Sequence, residues 1–346
     1  MTDLNYGTFA QDELMPLIPS LFVRGNFLTL TFFPEVFEFD TADVYFDRVL
    51  DDMRMAPFVA PLAPGKILQP RGFQKETIIP ASIKPKDQIT GKEVLSRMAG
   101  ERIGGEMSAA DREAAIREMY LMKHQERIAR RHEWMASSIL RTGSVTIAGD
   151  DYPSTVVNFA RAAALTVTLL TTARWGETGV SPFDDVDGWM NDTASECGAA
   201  VDIVVMDKLA WGFFADDPKT QKALDTTLGQ TAAIDLGFTP GVPGAPQFKG
   251  RIGAVEFYVY NDVYHDDSFT KQQLVPDYTV MMGSRSGYAG SKLCGVVQHA
   301  ENHYEKGEFF PHEWIDQNTG AQWVETITSP ILAPKRVNAS FCATVR

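Results

Sequence analysis

The chain has 346 residues, of which 44% are hydrophobic and 11% aromatic, so it can bury a sizeable core and is not disordered. Its 32 basic and 45 acidic residues give a net charge of −13, which excludes the global positive field of a typical nucleic-acid-binding protein. A chain of this length makes two domains or one large elaborated domain.

Residues 1–49 mix aromatic side chains and prolines without a helical period. The run from Phe27 to Pro34 predicts a strand, and beyond it Phe37 and Phe39 alternate with acids. Two interpretations stay open. The strand begins the chain's own sheet, or the segment lies across another subunit.

The segment from Ala56 to Thr90 carries strand residues in short pieces such as Lys75–Ile79, and six prolines interrupt them. Proline cannot donate to a β ladder, so this segment cannot lie in the middle of a sheet. It predicts a long two-stranded arm with free edges. Because an isolated hairpin is only marginally stable in water, such an arm makes sense if a neighbouring subunit covers it.

The clearest predicted element is a helix from Ser108 to Leu140, a stretch without proline or glycine. Ser108 and Asp111 have the spacing of a capping box, and Gly143 follows the last turn, which is typical of a helix end. About 33 residues at 1.5 Å each give a helix of roughly 50 Å. That is longer than a compact core usually needs.

The surface of this helix carries a local excess of basic charge. Between Ser108 and Arg141 there are seven basic and five acidic residues, a local charge of +2. Two interpretations are a DNA-facing surface and a solvated face that pairs with acids of an adjacent subunit, and we favour the second. The basic side chains predicted to fall near one another are Lys123, Arg127, Arg130 and Arg131.

The rest of the chain predicts a hairpin, a compact α+β domain and a β-rich tail. Residues 144–147 and 154–159 are the hairpin strands, and a composition shift near residues 181–183 indicates a domain crossing. We place the tail strands with the long helix, which makes that domain discontinuous in sequence. The predicted elements beyond the crossing are a helix over 186–199, a buried strand over 202–206, helices over 208–214 and 217–228, and strands over 252–263, 323–328 and 339–345.

The octapeptide Pro80–Asp87 (PASIKPKD), after Arg71-Gly72-Phe73 and before the long helix, resembles the major capsid proteins of lambda-type tailed phages. The order of parts is similar over nearly the whole chain, as far as Pro334–Asn338. The resemblance implies the Hong Kong 97 phage-type capsid fold. This is an α+β fold with an N-terminal arm, an extended β-hairpin loop, a long spine helix domain and a compact α+β axial domain.

Mapped onto this sequence, the resemblance gives four parts. They are an N-terminal arm over 1–49, exchanged between subunits, an extended loop over 50–95, a peripheral spine-helix domain over 96–182 and 322–346, and an axial domain over 183–321. In the loop it implies subunit contacts, which we assign to Arg71, Phe73, Lys75, Ile79, Lys84 and Lys86.

The function that the resemblance implies is that of a major head protein of a tailed phage or prophage. Its subunits assemble into hexamers and pentamers of an icosahedral shell around the DNA genome. The expected partners are further copies of the chain, a separate scaffold protein, a portal protein, packaged double-stranded DNA by non-specific contact and, as an open option, a trimeric decoration protein. The expected location is the virion, with assembly in the bacterial host cytoplasm.

Catalytic motifs are absent from the sequence, which has no GxSxG, GxxxxGK[ST] or HExxH pattern, and we expect neither an enzyme nor a cofactor. The best metal candidate is the pair His299 and His303, which would share one face of a helix, with His312-Glu313 as further ligands. We favour ordinary hydrogen bonding for these side chains, so no metal is expected. The alternatives are an encapsulin-like compartment shell and a metal-dependent hydrolase that uses His299 and His303.

Cysteine spacing and hydropathy bear on the compartment. Cys197, Cys294 and Cys342 are isolated and odd in number, which predicts free buried thiols in a reducing cytoplasm. The first residues lack the pattern of a signal peptide, and no run approaches the roughly 20 apolar residues that span a bilayer. We therefore expect a soluble protein that is intracellular when made and contacts no membrane.

Overall fold

A computed structural model describes residues 26–48, 55–56, 58–59, 61, 64, 74–96, 107–149, 152–225, 233–234, 245–266 and 268–346. Helices and strands alternate along these residues, which confirms the predicted α+β class. Most of the predicted N-terminal arm, together with Arg71 and Phe73, lies outside the described residues. None of the described helices is long and apolar enough to cross a membrane.

The α-helices of the described residues are α1 Phe27–Phe32, α2 Gly91–Leu95, α3 Ala109–Thr142, α4 Pro182–Cys197, α5 Lys208–Asp216, α6 Pro218–Asp225 and α7 Arg285–Tyr288. The strands of the first half are β1 Glu35–Glu38, β2 Val44–Arg48, β3 Gln74–Ile78, β4 Lys86–Ile89, β5 Ser144–Gly149, β6 Tyr152–Asn158 and β7 Thr166–Thr168. The strands of the second half are β8 Ile203–Met206, β9 Ala233–Ile234, β10 Gln247–Ile252, β11 Val255–Val259, β12 Val263–His265, β13 Lys271–Gln273, β14 Thr279–Gly283, β15 Ser291–Cys294, β16 Phe310–Ile315, β17 Gln322–Ile327, β18 Pro330–Ala333 and β19 Ser340–Thr344.

The spine helix α3 confirms the prediction for this segment. Its 34 residues span roughly 51 Å. At the N-terminus the Ser108 Oγ accepts from the Asp111 amide at 3.2 Å, and the Asp111 carboxylate accepts from the Ser108 amide at 3.1 Å. At the C-terminus Gly143 adopts a left-handed φ of 69°, and its amide donates to the Ile139 carbonyl. Local residues determine both ends of the helix, and this is why the sequence alone was sufficient to predict its bounds.

The central sheet has the strand order β7-β19-β14-β8-β11-β10-β9 and separates two buried clusters. Ile203 and Val205 of β8 lie in one cluster with Ile139 of the spine helix. Val204 and Met206 lie in the other cluster with side chains of α4 and α5. Strand β8 is therefore buried on both faces, as the sequence predicted.

The tail strand β19 was predicted to complete the spine-helix domain, and that domain assignment stays a prediction. The strand pairs antiparallel with β14 and parallel with β7, inside the central sheet. The reason is burial. Residues 340–343 are buried on both faces, which suits a strand inside a sheet and not an edge.

Strand pairing also crosses the predicted domain boundary between residues 321 and 322. Strand β16, predicted in the axial domain, pairs with β17, which in turn pairs with β4 against the spine helix. A short connection between β16 and β17 makes them an antiparallel hairpin, so they lie in the same sheet. The predicted domain boundaries stay a prediction.

The prediction of a strand from Phe27 to Pro34 is wrong, because Phe27–Phe32 form the helix α1. A distant side chain fixes this helix. The Glu133 carboxylate of α3 accepts from the Leu28 amide at 2.7 Å and from the Thr29 amide at 3.0 Å. Backbone donors of the first helical turn are thus satisfied by a residue over 100 positions away.

Two further elements have bounds that differ from the prediction. The expected strand over 252–263 is two antiparallel strands, β10 and β11, because Gly253 at φ 61° makes a turn between them. Helix α4 begins at Pro182, before the predicted start, since Ser181 caps it and proline is favoured in a first helical turn. The hairpin of β5 and β6 and the Asp207-capped helix α5 are confirmed.

Candidate assembly interface

The base of the extended loop is a two-stranded antiparallel sheet of β2 and β3, with Val44 opposite Ile78. The strand that pairs with β3 therefore lies upstream of the predicted Ala56–Thr90 segment. Val44 and Phe46 are buried, and the Phe46 ring lies 5.6 Å from the Phe159 ring, which fixes the base to the core. Among the described residues no third strand joins this pair, so its edges are open to a partner.

Five large apolar side chains of the loop segment are exposed. Met55 is 89% exposed, Phe58 106% and Leu95 78%, and Ile79 and Val59 are 60% and 47% exposed. A soluble monomer rarely exposes large apolar side chains so close in sequence, and such groups mark a surface that a partner covers.

The predicted loop contacts differ in what they touch. Ile79 and Lys84 are exposed. Lys86 is engaged within its own subunit, because its Nζ lies 4.1 Å from the centre of the Trp323 ring and 4.7 Å from that of Trp314. The backbone of Lys75 lies in β3, but its side chain is outside what the structure describes.

The basic side chains of the spine helix are brought together only in part. Arg127 forms an ion pair with Asp87, with 2.7 Å between its Nη1 and the carboxylate Oδ2. Lys123 instead sits over the Tyr120 ring at 5.1 Å. A groove of about 490 Å³ is lined by Arg127, Arg130, Arg131, Trp134, Tyr264, His265 and Asp266. Two acids of the same subunit, Asp87 and Asp266, lie beside this face, and its pairing with acids of an adjacent subunit stays a prediction.

A buried histidine, His124, which sequence reasoning did not single out, joins the spine helix to strands β4 and β17. His124 is fully buried, and its two ring nitrogens lie 3.1 Å from Asp87 of β4 and from Thr326 of β17. Burial lowers the pKa of His124, and the neighbouring Asp87 carboxylate opposes that change. The helical position of His124, three and four residues from Leu121 and Ile128 on the buried face, was the available signal.

His132, two turns further along the same helix, is expected to make the subunit sensitive to acid. Burial lowers its pKa from 6.5 to about 3, with a smaller contribution from Lys292. Below pH 6.5 the unfolded chain therefore binds a proton that the folded chain does not, and the free energy of unfolding falls as pH falls toward 3. Between pH 7 and 5 this loss is about 2 kcal/mol. The variant His132→Leu should lose that part of the pH dependence, measured by urea unfolding at both pH values.

An equal fall in the free energy of unfolding for wild type and His132→Leu would contradict the assignment to His132.

The predicted metal pair does not form, because residues 300–302 make a single 3₁₀ turn and His303 adopts a left-handed φ of 50°. His303 therefore does not share a helical face with His299. Instead His312 of β16 approaches, and the rings of His299 and His312 are 4.6 Å apart. Together with Glu301 they form a group whose potential ligand atoms all lie within 4.8 Å of one another.

The three cysteines are buried and free, as predicted. Burial raises the pKa of Cys294 to about 12 and that of Cys342 to about 11. Thiols of this kind are protonated at neutral pH, so neither supplies a thiolate nucleophile.

A family model matches nearly the whole chain, and known proteins match most of it. The model of the family described as phage major capsid protein E matches residues 11–345. The major capsid protein of Escherichia phage lambda is 26% identical over 306 residues, which cover 86% of this chain and 87% of that protein. The major capsid protein of Enterobacteria phage phi80 is 27% identical over 298 residues, which cover 82% and 83%.

A solved structure shares the fold. The crystal structure of a prophage capsid protein from Escherichia coli CFT073 superimposes with a TM-score of 0.75 at 18% identity, covering 98% of this chain and 99% of that chain. A phage-related protein from Bordetella bronchiseptica RB50 gives a TM-score of 0.51 at 13% identity, covering 96% of each chain. These likenesses establish the architecture of the chain over nearly its full length.

Proposed function

The chain belongs to the phage major capsid protein E family, and we propose that its subunits form hexamers and pentamers that close an icosahedral shell. It is a major capsid protein with the Hong Kong 97 phage-type fold, so its role is structural and not enzymatic. The observation that carries this conclusion is the family match over residues 11–345. Its location is the capsid of the virion.

In the proposed shell the extended loop laps the neighbouring subunit and the N-terminal arm is exchanged between subunits. The support is the open edges of the β2–β3 sheet and the exposed apolar side chains from Met55 to Leu95. Covering these groups would remove apolar surface from water at about 25 cal/mol per Å². Within the loop we assign contacts to Ile79 and Lys84, while Lys86 contacts Trp314 and Trp323 of its own subunit.

The proposed partners beyond the chain itself are a separate scaffold protein, a portal protein, a trimeric decoration protein and packaged double-stranded DNA. The net charge of −13 supports a DNA contact that is weak and non-specific, because a strongly basic lining would hold phosphate. We place assembly in the cytoplasm of a bacterial host.

Expression together with the neighbouring phage head genes tests this function. Negative-stain electron microscopy of the lysate should show uniform polyhedral shells, and the capsid band should sediment with them. A persistent small oligomer in the presence of those genes would refute assembly into shells. Shells that carry an enzyme cargo in place of DNA would instead favour the compartment alternative.

Two point variants test the role of the loop separately. Ile79→Asp and Lys84→Glu change exposed side chains, so the subunit should fold, with a circular dichroism spectrum equal to that of the wild type. Both should lower the yield of closed shells, Ile79→Asp more strongly because it places a charge where apolar surface is covered. Normal shell yields from both variants would remove the loop from the proposed interface.

A further inference from the structure

We propose that His299, Glu301 and His312 bind one divalent transition-metal ion, with Zn²⁺ the metal that this donor set fits best. Two imidazole nitrogens and a carboxylate oxygen are common zinc ligands, and zinc accepts them in tetrahedral geometry. This proposal concerns the isolated subunit and does not depend on shell assembly.

The distances are close to those of a zinc site. The potential ligand atoms of the three side chains lie within 4.8 Å of one another, and the Glu301 Oε2 is 2.5 Å from the His312 Nε2. Tetrahedral zinc with bonds of about 2.0–2.1 Å places its ligand atoms roughly 3.3 Å apart. Side-chain rotations that move the ligand atoms by about 1 to 1.5 Å therefore convert the observed cluster into a ligand set.

The hydrogen bonding of the two rings points to a missing ligand. The His299 Nδ1 and both ring nitrogens of His312 are buried without a hydrogen-bond partner among the described residues. The short contact between Glu301 and His312 lacks the alignment of a hydrogen bond, so it does not satisfy the ring. Buried polar atoms are nearly always paired, and unpaired ones call for a water or an ion. A metal ion bound by both rings would engage one nitrogen of each.

The surroundings hold the two rings in place. His312 lies on β16, where its ring packs 4.9 Å from Trp314 and 6.0 Å from Phe310. The His299 ring lies 5.2 Å from the same Phe310 ring. Ligands fixed by packing against rigid strands are pre-organised for a metal, because little side-chain entropy is lost on binding.

The third ligand lies at the solvent boundary. Glu301, 65% exposed in the 3₁₀ turn, gives an entry path and leaves the fourth zinc position to a water molecule. Glu301 lies in the turn, His299 directly precedes it, and His312 lies on strand β16. Binding would therefore connect the turn to the sheet that packs on the spine helix, and it would stabilise the folded subunit in proportion to free metal.

Untagged full-length protein is stripped with a chelator, incubated with excess zinc chloride, dialysed and analysed for metal by mass spectrometry. Wild type should retain about one zinc per subunit, whereas His299→Ala and His312→Ala should retain less than about one fifth of that. His303→Ala is the matched control from the same loop and should bind as the wild type does. Failure of the wild type to retain zinc, or equal retention by His299→Ala, would overturn the proposal.

The variant Glu301→Gln tests the site in a subunit that should still fold, since the exposed Glu301 side chain can change without disturbing the core. It should weaken zinc binding by about tenfold or more, measured against a chromogenic chelator, and leave the circular dichroism spectrum unchanged. Zinc should also raise the Tm of the wild type and of His303→Ala but not that of His312→Ala. Equal zinc affinity in Glu301→Gln and wild type would exclude the carboxylate from the site. Shell formation is scored independently by electron microscopy.

Discussion

Replacing Arg117 with alanine is expected to lower the free energy of unfolding of the unassembled subunit by about 3–5 kcal/mol. Arg117 lies on the spine helix with a side chain 3% exposed, and Glu313 of β16 faces it with a side chain 0% exposed. The Arg117 Nε donates to the Glu313 Oε2 at 2.9 Å, and the Nη2 donates to the Oε1 at 3.1 Å. This bidentate pair fastens the spine helix to the β16–β17–β4 sheet.

The expected loss comes from the charge that is left behind. Without the guanidinium, the Glu313 carboxylate stays in a site from which water is excluded and loses the two hydrogen bonds that Arg117 donates, while Gln322 still donates to it. Urea unfolding of wild type and Arg117→Ala, followed by circular dichroism, measures the difference.

The double variant Arg117→Met with Glu313→Leu removes the whole ion pair. It therefore distinguishes the net contribution of the pair to stability from the loss that follows when only one partner is removed. Removing both charges should restore most of the stability, because a buried ion pair and an apolar pair of similar volume are often equivalent. Glu118→Ala on the exposed side of the same helix is the control and should change the free energy by less than about 0.5 kcal/mol. A double variant as unstable as Arg117→Ala would show that lost packing, and not the loss of hydrogen bonds to the buried Glu313 carboxylate, sets the fall in stability.

The elements that the sequence predicted well are those whose signals are local. The spine helix has its capping box and its terminal glycine within the segment itself, and its ends were placed within two residues. Strand β8 was predicted because its β-branched residues favour a buried strand whichever neighbours it has.

The failures have a non-local cause. The side chains of Phe27–Phe32 follow an alternating pattern that is typical of a strand. The segment is nevertheless a helix, because the Glu133 carboxylate accepts hydrogen bonds from its first amides. No feature of the segment itself reveals that partner. Likewise β19 could be predicted as a strand, but its neighbours β14 and β7 are chosen by tertiary packing.

The candidate metal cluster shows the same limit. Sequence reasoning joined His299 to His303 because a spacing of four suits an α-helix. The segment makes one 3₁₀ turn instead, and a cross-strand residue, His312, takes the place of His303. A residue type and its spacing can suggest the donors, but the backbone conformation decides which of them meet.

Replacing Glu133 with alanine is expected to lower the free energy of unfolding by about 3 kcal/mol or more, because several donors lose a buried acceptor. Glu133 is 1% exposed and accepts from the Leu28 and Thr29 amides and from the Thr29 hydroxyl. The first effect should be local unfolding of helix α1. Hydrogen exchange at the Leu28 and Thr29 amides should accelerate before the rest of the subunit unfolds.

The Thr29→Val variant is the graded control, since it removes the hydroxyl donor at 2.9 Å and leaves both amide hydrogen bonds to Glu133 intact. It should cost about 1 kcal/mol, well below the loss in Glu133→Ala. Equal losses in the two variants, with unchanged exchange at Leu28 and Thr29, would show that the carboxylate does not hold helix α1.

The pH dependence gives an independent test of the same carboxylate. Burial raises the pKa of Glu133 above its ordinary value of 4.5, and the hydrogen bonds from Leu28 and Thr29 oppose that rise. A carboxyl with a raised pKa stabilises the folded state fully below pH 4.5 and loses this contribution as pH rises through its folded pKa. The direction is opposite to that of His132, so each variant must be compared with wild type separately. The difference in unfolding free energy between wild type and Glu133→Gln should therefore shift against the wild type as pH rises from 4.5. A difference that stays constant with pH would mean that Glu133 has the same pKa in the folded and unfolded chain.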